Sequence, residues 1–310
     1  MTSDIVSIIL PVRNEEKYIG PCLDQVFNQV GFDGPVEVIV ADGMSTDRTR
    51  EIVRQYQEKH PNLILVDNPG KIVPIGMNLA LRQANGEIII RVDGHCIIAQ
   101  DYLQNCVNHL LQDGVDGVGV PMQTIAENHL SEVIAIAMSS IFGVGNSAFR
   151  TTNDKTMLVD SVPFPAYTRA IIQKAGPYDE ELVRNQDDEY NYRIRELGGK
   201  ILLAGDVRST YYSRGSLQKL WMQYFQYGYW KVRVLQKHPR QMSLRQFIPP
   251  AFVASLLLSI ILTIATHWGW FALALVVGSY LLANLTASMI TAGRKGIRYA
   301  PLLPLTFAIL

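Results

Sequence analysis

Asp93 and His95 flank Gly94 at the end of the run Ile88-Ile89-Ile90-Arg91-Val92. A β-branched run too short for a helix reads as a strand, so a carboxylate and an imidazole emerge where the chain must turn. In a parallel α/β sheet that point is the carboxyl edge, where ligands collect. A glycine between two such donors lets the backbone approach what they hold, and a divalent metal carrying phosphate oxygens suits the pair. An ordinary Asp-Gly turn is the competing reading.

Other candidate groups also fall at strand ends or helix starts. Pro11-Val12-Arg13-Asn14-Glu15 offers Arg13 to a phosphate and Glu15 to a sugar hydroxyl or a helix N-terminus. Asp42 ends a second apolar run, placed to accept from a base or ribose, or simply to make a turn. Lys71, in a loop entering a helix with Gly76 and Asn78, either meets a phosphate as a point charge or stays solvated. In Asn185-Gln186-Asp187-Asp188-Glu189 three successive carboxylates repel one another, and one with a raised pKa can take a proton from an acceptor hydroxyl. A charged helix N-terminus accounts for the same residues equally well. Gly143-x-Gly145-x-x-Ala148 spells a dinucleotide fingerprint but follows an apolar helix rather than the first strand, so it is set aside.

The elements that must position these groups alternate. Strands are expected at Val6–Leu10, Val36–Ala41, Leu63–Val66, the run ending at Val92, and Val115–Val120. Helices are expected from about Glu15 to Val30, from the N-capping Ser45-Thr46-Asp47 to Lys59, and over Ile75–Ala84 and Asp101–Gln112. This rhythm predicts a doubly wound, mostly parallel α/β sheet over residues 1 to about 121. Beyond it come a helix at Ser131–Phe142, a loop-like stretch over residues 143–154, a strand at Val159–Tyr167, a helix at Asp187–Leu197 and a strand at Lys200–Ala204.

Charge divides the chain. All 28 carboxylates lie at or before Asp206 while 11 of the 28 cations lie after it, so the first two-thirds carry −11 and the remainder +11. Phe247–Thr266 and Trp268–Gly293 contain no Asp, Glu, Lys or Arg, and each is long enough for a hydrocarbon layer that takes about 20 residues to cross. Tyr299–Leu310 is apolar but short for a span, and reads as a truncated or re-entrant segment. Cations before the first span, and Arg294, Lys295 and Arg298 after the second, place both basic segments in the cytoplasm. Leu217, Leu220, Trp221, Tyr224, Phe225, Gly228, Val232 and Leu235 keep helical spacing, which predicts an amphipathic helix in the membrane interface, with a plain core helix as the alternative. The acidic Asp4 and the strand-like residues after it leave no basic n-region for a signal peptide. Three cysteines without a C-x-x-C pair fit a reduced compartment and neither a disulfide framework nor a structural zinc site.

The order of the motifs is more specific than any one of them. Pro11-x-Arg13-Asn14-Glu15, Ala41-Asp42-Gly43-x-Ser45-x-Asp47, Asn78-x-Ala80, Asn85-Gly86-Glu87, Asp93-Gly94-His95, and Gln186-Asp187 ahead of Arg193 and Gly198 together resemble the inverting glycosyltransferases of family 2. The likeness runs from about Val6 to Tyr212, and the Asp-Gly-His form with a membrane tail looks most like the bacterial ExoA-type succinoglycan glucosyltransferases. It implies a GT-A fold over residues 1–213, and the apolar patterning beyond it gives an interfacial helix region over 214–246 and a transmembrane region over 247–310, with two spans and a third short or truncated one.

Carried over residue by residue, the resemblance implies that Pro11, Arg13, Glu15 and Asp42 line a nucleotide pocket with Lys71 near it. Asp93 would hold Mn2+ or Mg2+ on the diphosphate, with His95 where the family usually has a second Asp. Asp187 would be the base and Asp188 a neighbour that could be confused with it. Gln186 replaces the family's usual Glu, and Gln226-x-x-Tyr229-Trp230 has Tyr where processive relatives carry Arg, which favours single-residue transfer. The implied reaction moves a hexose, from a UDP-sugar, to a lipid-linked acceptor at the cytoplasmic face of the cell inner membrane, with no nucleic acid involved. Transfer to a polyprenyl phosphate, or a catalytically silent membrane scaffold, are the alternatives.

Overall fold

The computed structural model describes residues 5–126, 128–145, 147–152, 154–212, 215–241 and 244–310. Asp4 and the expected boundary between 213 and 214 lie outside the described residues. In chain order the elements are β1 (Val6–Val12), α1 (Ile19–Phe27), β2 (Val36–Asp42), α2 (Thr49–Lys59), β3 (Leu63–Asp67), α3 (Val73–Gln83), β4 (Ile88–Arg91), β5 (Cys96–Ile98) and α4 (Tyr102–Gln112). They continue through β6 (Gly117–Gly119), β7 (Met122–Ile125), α5 (His129–Met138), α6 (Ile141–Val144), α7 (Ala148–Thr151), β8 (Met157–Leu158), β9 (Ala166–Thr168), α8 (Arg169–Ala175) and α9 (Gln186–Glu196). Last come β10 (Ile201–Leu203), β11 (Ser209–Tyr212), α10 (Leu217–Lys237), α11 (Ile248–Ala265), α12 (Trp268–Lys295) and α13 (Leu303–Ile309). These form two compact units, Met1–Ile125 with Ala148–Tyr212, and Ala126–Ser147 with Ser213–Leu310.

The first unit is a mixed α/β sheet in the order β3-β2-β1-β4-β9-β6-β10-β8. The pairs β2/β3, β1/β2, β1/β4 and β6/β10 are parallel. Both faces are covered, so the central strands are apolar on successive residues. In β1, Val6, Ile8, Leu10 and Val12 enter one core cluster while Ile9 enters the other, and β4 divides Ile88 and Ile90 from Ile89 in the same way. Each such side chain contributes about 1.5–3 kcal/mol of burial free energy, which fixes the register of β1 and β4 and hence the position of the loops beyond them. The free Cys22, Cys96 and Cys106 are buried in the first of these clusters.

Several boundaries differ from the sequence expectation. α1 starts at Ile19 rather than near Glu15, because residues 14–17 form a turn bonded to the next loop. The expected strand at Val159–Tyr167 is confined to β9, which runs antiparallel between β4 and β6. Cys96–Ile98 forms an unanticipated strand, in a three-stranded sheet of order β5-β11-β7.

In the second unit, α5 is apolar on nearly all sides. Val133 and Ala137 pack with Ala292, Leu303 and Phe307, and Ile134 and Met138 with Leu220. Residues 126–147 therefore belong with the C-terminal helices, whereas the sequence reading placed them within 1–213. α11 and α12 have mean hydropathies of 2.2 and 1.8 over their most apolar stretches and are almost entirely exposed, as helices surrounded by lipid would be. α13 has seven residues, about 10 Å at 1.5 Å per residue, too little to cross. Asn284 on α12 donates to the Pro304 carbonyl at 3.1 Å and so pins α13 to it. On α10, Leu220 and Val234 turn inward while Trp221, Phe225, Tyr229 and Val232 are exposed, so its apolar residues divide between two faces instead of sharing one.

Candidate active site

The carboxyl ends of β1, β2 and β4 lie side by side, with Val12 opposite Asp42 and Ile9 opposite Arg91. Strands sit ~4.8 Å apart, so β2 and β4, on either side of β1, run roughly 10 Å apart, with β2 continuing past the end of β4.

The loops after β1 and β2 are tied together. Asn14 N–H donates to Ser45 Oγ at 2.8 Å, Thr46 N–H to Asn14 Oδ1 at 2.9 Å, and Glu15 N–H to Thr49 Oγ1 at 2.7 Å. Asn14 and Met44 both take a left-handed φ of 55°, and the bonds from Asn14 offset the cost of that conformation. Asp42 is fully buried. Its Oδ1 accepts from Ser45 Oγ at 2.5 Å, and its Oδ2 from Ser45 N–H at 3.0 Å and Arg50 Nη1 at 2.6 Å. The other arm of Arg50 reaches Asp67 at 2.7 Å. Three of the roughly four acceptor positions of the Asp42 carboxylate are thus occupied within the chain, and Asp42 shapes this loop from beneath. Pro11 is half-buried and Arg13 exposed on the same edge. Lys71 is exposed at φ 62° in the turn after β3, where its N–H donates to Asn68.

Beyond β4 the acidic residues converge. Arg91 is 4% exposed; its Nε donates to Asp93 Oδ1 at 2.9 Å and its Nη1 bonds Asp187 Oδ1. The guanidinium carbon lies 5.3 Å from the centre of the Phe164 ring. Burial pushes the Asp187 carboxyl above the usual carboxylate range, Arg91 pulls it back, and the charges of Asp93 and Asp188 add to the rise. Burial disfavours the Arg91 charge too, but Asp187 and Asp93 outweigh it, so the guanidinium is held more firmly charged than usual. Asp188 is half-buried one residue further along α9. Gly94 allows the turn because a Cβ there would lie 2.8 Å from Val12 Cγ1.

His95 Nδ1 lies 2.9 Å from Glu15 Oε1. A neutral imidazole donating to that carboxylate carries its lone pair on Nε2, the arrangement by which carboxylates orient metal-binding histidines. Asp93 Oδ2 accepts no hydrogen bond from any described residue. No group of three or more metal-ligating side chains occurs among the described residues. One carboxylate and one oriented imidazole nevertheless suit a cation whose remaining positions go to phosphate oxygens and water, as with Mg2+ or Mn2+.

An α/β unit that gathers carboxylates at the carboxyl ends of neighbouring strands has the architecture of a nucleotide-binding fold, whose ligand crevice lies at that edge. The family model for glycosyl transferase family 2 matches residues 7–176, and the chain belongs to that family. It is 31% identical to the succinoglycan biosynthesis protein ExoA of Rhizobium meliloti (strain 1021) over 262 residues, 81% of this chain and 76% of that protein. It is 29% identical over 242 residues to a dolichyl N-acetyl-alpha-D-glucosaminyl phosphate 3-beta-D-2,3-diacetamido-2,3-dideoxy-beta-D-glucuronosyltransferase of Methanococcus voltae, 76% of this chain and 75% of that one. Among solved structures, the mannosyltransferase PcManGT from Pyrobaculum calidifontis, in complex with GDP-Man and Mn2+, matches at TM-score 0.60 and 21% identity over 98% of this chain and 85% of that one. S. aureus TarS 1-349 in complex with UDP-GlcNAc matches at TM-score 0.53 and 19% identity, over 98% and 87%. The fold is GT-A, the chain is a glycosyltransferase, and two of its C-terminal helices are long and apolar enough to cross a membrane.

Three of these contacts have no counterpart in the sequence analysis. Arg91 was read as part of a strand, though a cation within an isoleucine run was a signal that it is paired. Arg50 has no sequence signal that sets it apart from other helix cations. Glu15 was assigned to the nucleotide, and its contact with His95, 80 residues away, has no local signature.

Proposed function

We propose that this protein is a membrane-bound, metal-dependent inverting glycosyltransferase. It moves a hexose from a nucleoside diphosphate sugar, of the UDP class, to a lipid-linked saccharide. Asp187 is the base, and the observation that carries the reading is the single buried guanidinium bonded both to it and to Asp93. Asp93 and His95 would hold Mn2+ or Mg2+, which supplies positive charge to the departing diphosphate. Pro11, Arg13 and Lys71 face the nucleotide, while Glu15 acts through His95 and Asp42 through the turn at Ser45.

In the reaction the acceptor hydroxyl gives its proton to an Asp187 oxygen as its own oxygen bonds to the anomeric carbon. The bond from that carbon to the diphosphate breaks, its electron pair leaving with the nucleotide. One base and in-line displacement invert the anomeric centre, and a carboxyl raised by burial is a stronger base than an exposed one. Asp188, next to it, adds negative charge and is not required for proton transfer. Tyr229, at a position where processive relatives carry Arg, favours transfer of one residue per encounter.

The acceptor class follows from the anchor. α11 and α12 cross the cell inner membrane as a multi-pass anchor, with Arg294, Lys295 and Arg298 on the cytoplasmic side. The exposed Trp221, Phe225 and Tyr229 of α10 suit the headgroup layer. The test is nucleotide release by full-length protein in membranes with Mn2+, offered UDP-glucose, UDP-galactose, UDP-N-acetylglucosamine and GDP-mannose, with and without a bacterial lipid extract. Release that needs the extract and falls at least a hundredfold in Asp187→Asn supports the reading. Equal release from wild type and variant removes Asp187 from the base role.

A further inference from the structure

Arg91 touches both acidic ends of the site with two nitrogens of one rigid plane, Nε to Asp93 and Nη1 to Asp187. Its backbone is fixed as firmly as its side chain, since its N–H donates to Pro165 O at 3.2 Å and the residue pairs with Ile9 in the sheet. Phe164 packs against the guanidinium, and the side chain is 4% exposed. A charge this buried persists only when paired, and a planar fork fixes the directions of its partners as a lysine ammonium does not. Asp187 lies 96 residues from Arg91 along the chain and Asp93 only 2, so this shared cation ties together two distant parts of the sequence.

We propose that Arg91 is a positioning residue: it holds Asp93 and Asp187 at a set separation, so that the donor diphosphate and the acceptor hydroxyl are presented in line. The inference rests on the reading of Asp93 and Asp187 given above. Arg91 neither takes the proton nor holds the nucleotide. It acts through the two carboxylates, so its loss falls on turnover more than on donor binding. Misplacement by about 1 Å costs on the order of a hundredfold in rate, which sets the scale of the effect.

The experiment uses full-length protein with the same four nucleotide sugars, and UDP with Mn2+ or GDP with Mn2+ in calorimetry. Arg91→Lys keeps the charge without the fork. It should lower kcat about a hundredfold while KM for the donor and the affinity for UDP–Mn2+ or GDP–Mn2+ change by less than about fivefold. In an Asp187→Asn background the same substitution should change the residual rate by less than about threefold, since the separation that Arg91 sets between Asp93 and the base no longer matters once the base is gone. Arg91→Ala, which leaves a guanidinium-sized space, should regain at least tenfold in rate with added guanidinium ion and nothing with urea. Equal loss from Arg91→Lys in both backgrounds, or kcat within threefold of wild type, overturns the proposal, as does absence of guanidinium rescue if Arg91→Lys does not fold. If wild-type release proves independent of Asp187, the underlying reading fails first, an outcome distinct from failure at Arg91 alone.

Discussion

Replacing Gly94 by alanine adds one methyl group between Asp93 and His95, and the structure shows where it goes. The new Cβ would sit 2.8 Å from Val12 Cγ1, with Glu15 Cγ at 3.5 Å and Ile19 Cδ1 at 3.6 Å. The last two are ordinary contacts and the first is not, so a single methyl of β1 bears the collision. Val12 is buried at the end of a central strand, and small-to-large changes in packed interiors cost about 1–3 kcal/mol. Either β1 yields or the turn does, and β1 is paired with β2 along its whole length, Val12 opposite Asp42. Asp93 and His95 should therefore shift, with turnover lower by about tenfold or more, because 1.4 kcal/mol is a factor of ten. Adding Val12→Ala removes the obstructing methyl and should restore most of the rate, although Val12→Ala alone costs some stability through the space it leaves. Nucleotide release and thermal unfolding of the four proteins decide the matter. Full activity in Gly94→Ala, or no recovery in the double variant, would refute the steric account of the Asp-Gly-His turn.

Arg50→Ala strands the buried Asp42 carboxylate. Breaking a buried pair costs about 3–5 kcal/mol, less here because Arg50 is partly exposed, so the midpoint of thermal unfolding should fall by several degrees and UDP affinity with it, by calorimetry. Glu15→Gln weakens the orientation of His95 and should raise the Mn2+ concentration for half-maximal activity about tenfold, read by titration at fixed donor. The rate of the wild type should fall as pH drops through the raised pKa of Asp187, so the acid limb of kcat/KM lies above the ordinary Asp value of about 3.9. The stability sign is opposite to that of a salt-bridged Asp. With a raised folded pKa, the folded state holds the proton longer, so this group's contribution declines as pH rises from the unfolded pKa through the folded one, then levels off. Denaturant titrations of wild type and Asp187→Asn across that window should diverge in this direction.

The apolar runs that became β1, β2, β3 and β4 were legible because a sheet buried on both faces leaves an unbroken hydrophobic signal. The order of Asp42, Asp93 and Asp187 was legible for a related reason, since each falls where such a run or a helix start meets a loop. The strand expected over Val159–Tyr167 was legible only at its end, because the three residues of β9 inserted antiparallel between β4 and β6 have no pattern that sets their bounds. Nor could the pairing of Arg91 with Asp187 or of Glu15 with His95 be read, for these are contacts across 96 and 80 residues whose partners are chosen by the fold. The place of α5 beside α12 and α13 follows from packing volume, to which periodicity is blind.

The three thiols of the first unit have a practical consequence. Each is enclosed, and burial pushes the Cys22 thiol up to about 12 and those of Cys96 and Cys106 upward as well. Only the thiolate attacks an alkylating reagent, so the native chain offers a silent background to maleimide dyes and spin labels. A single cysteine introduced on the outer stripe of α10 would then carry the whole spectroscopic signal, reporting depth of immersion without any native residue having to be removed.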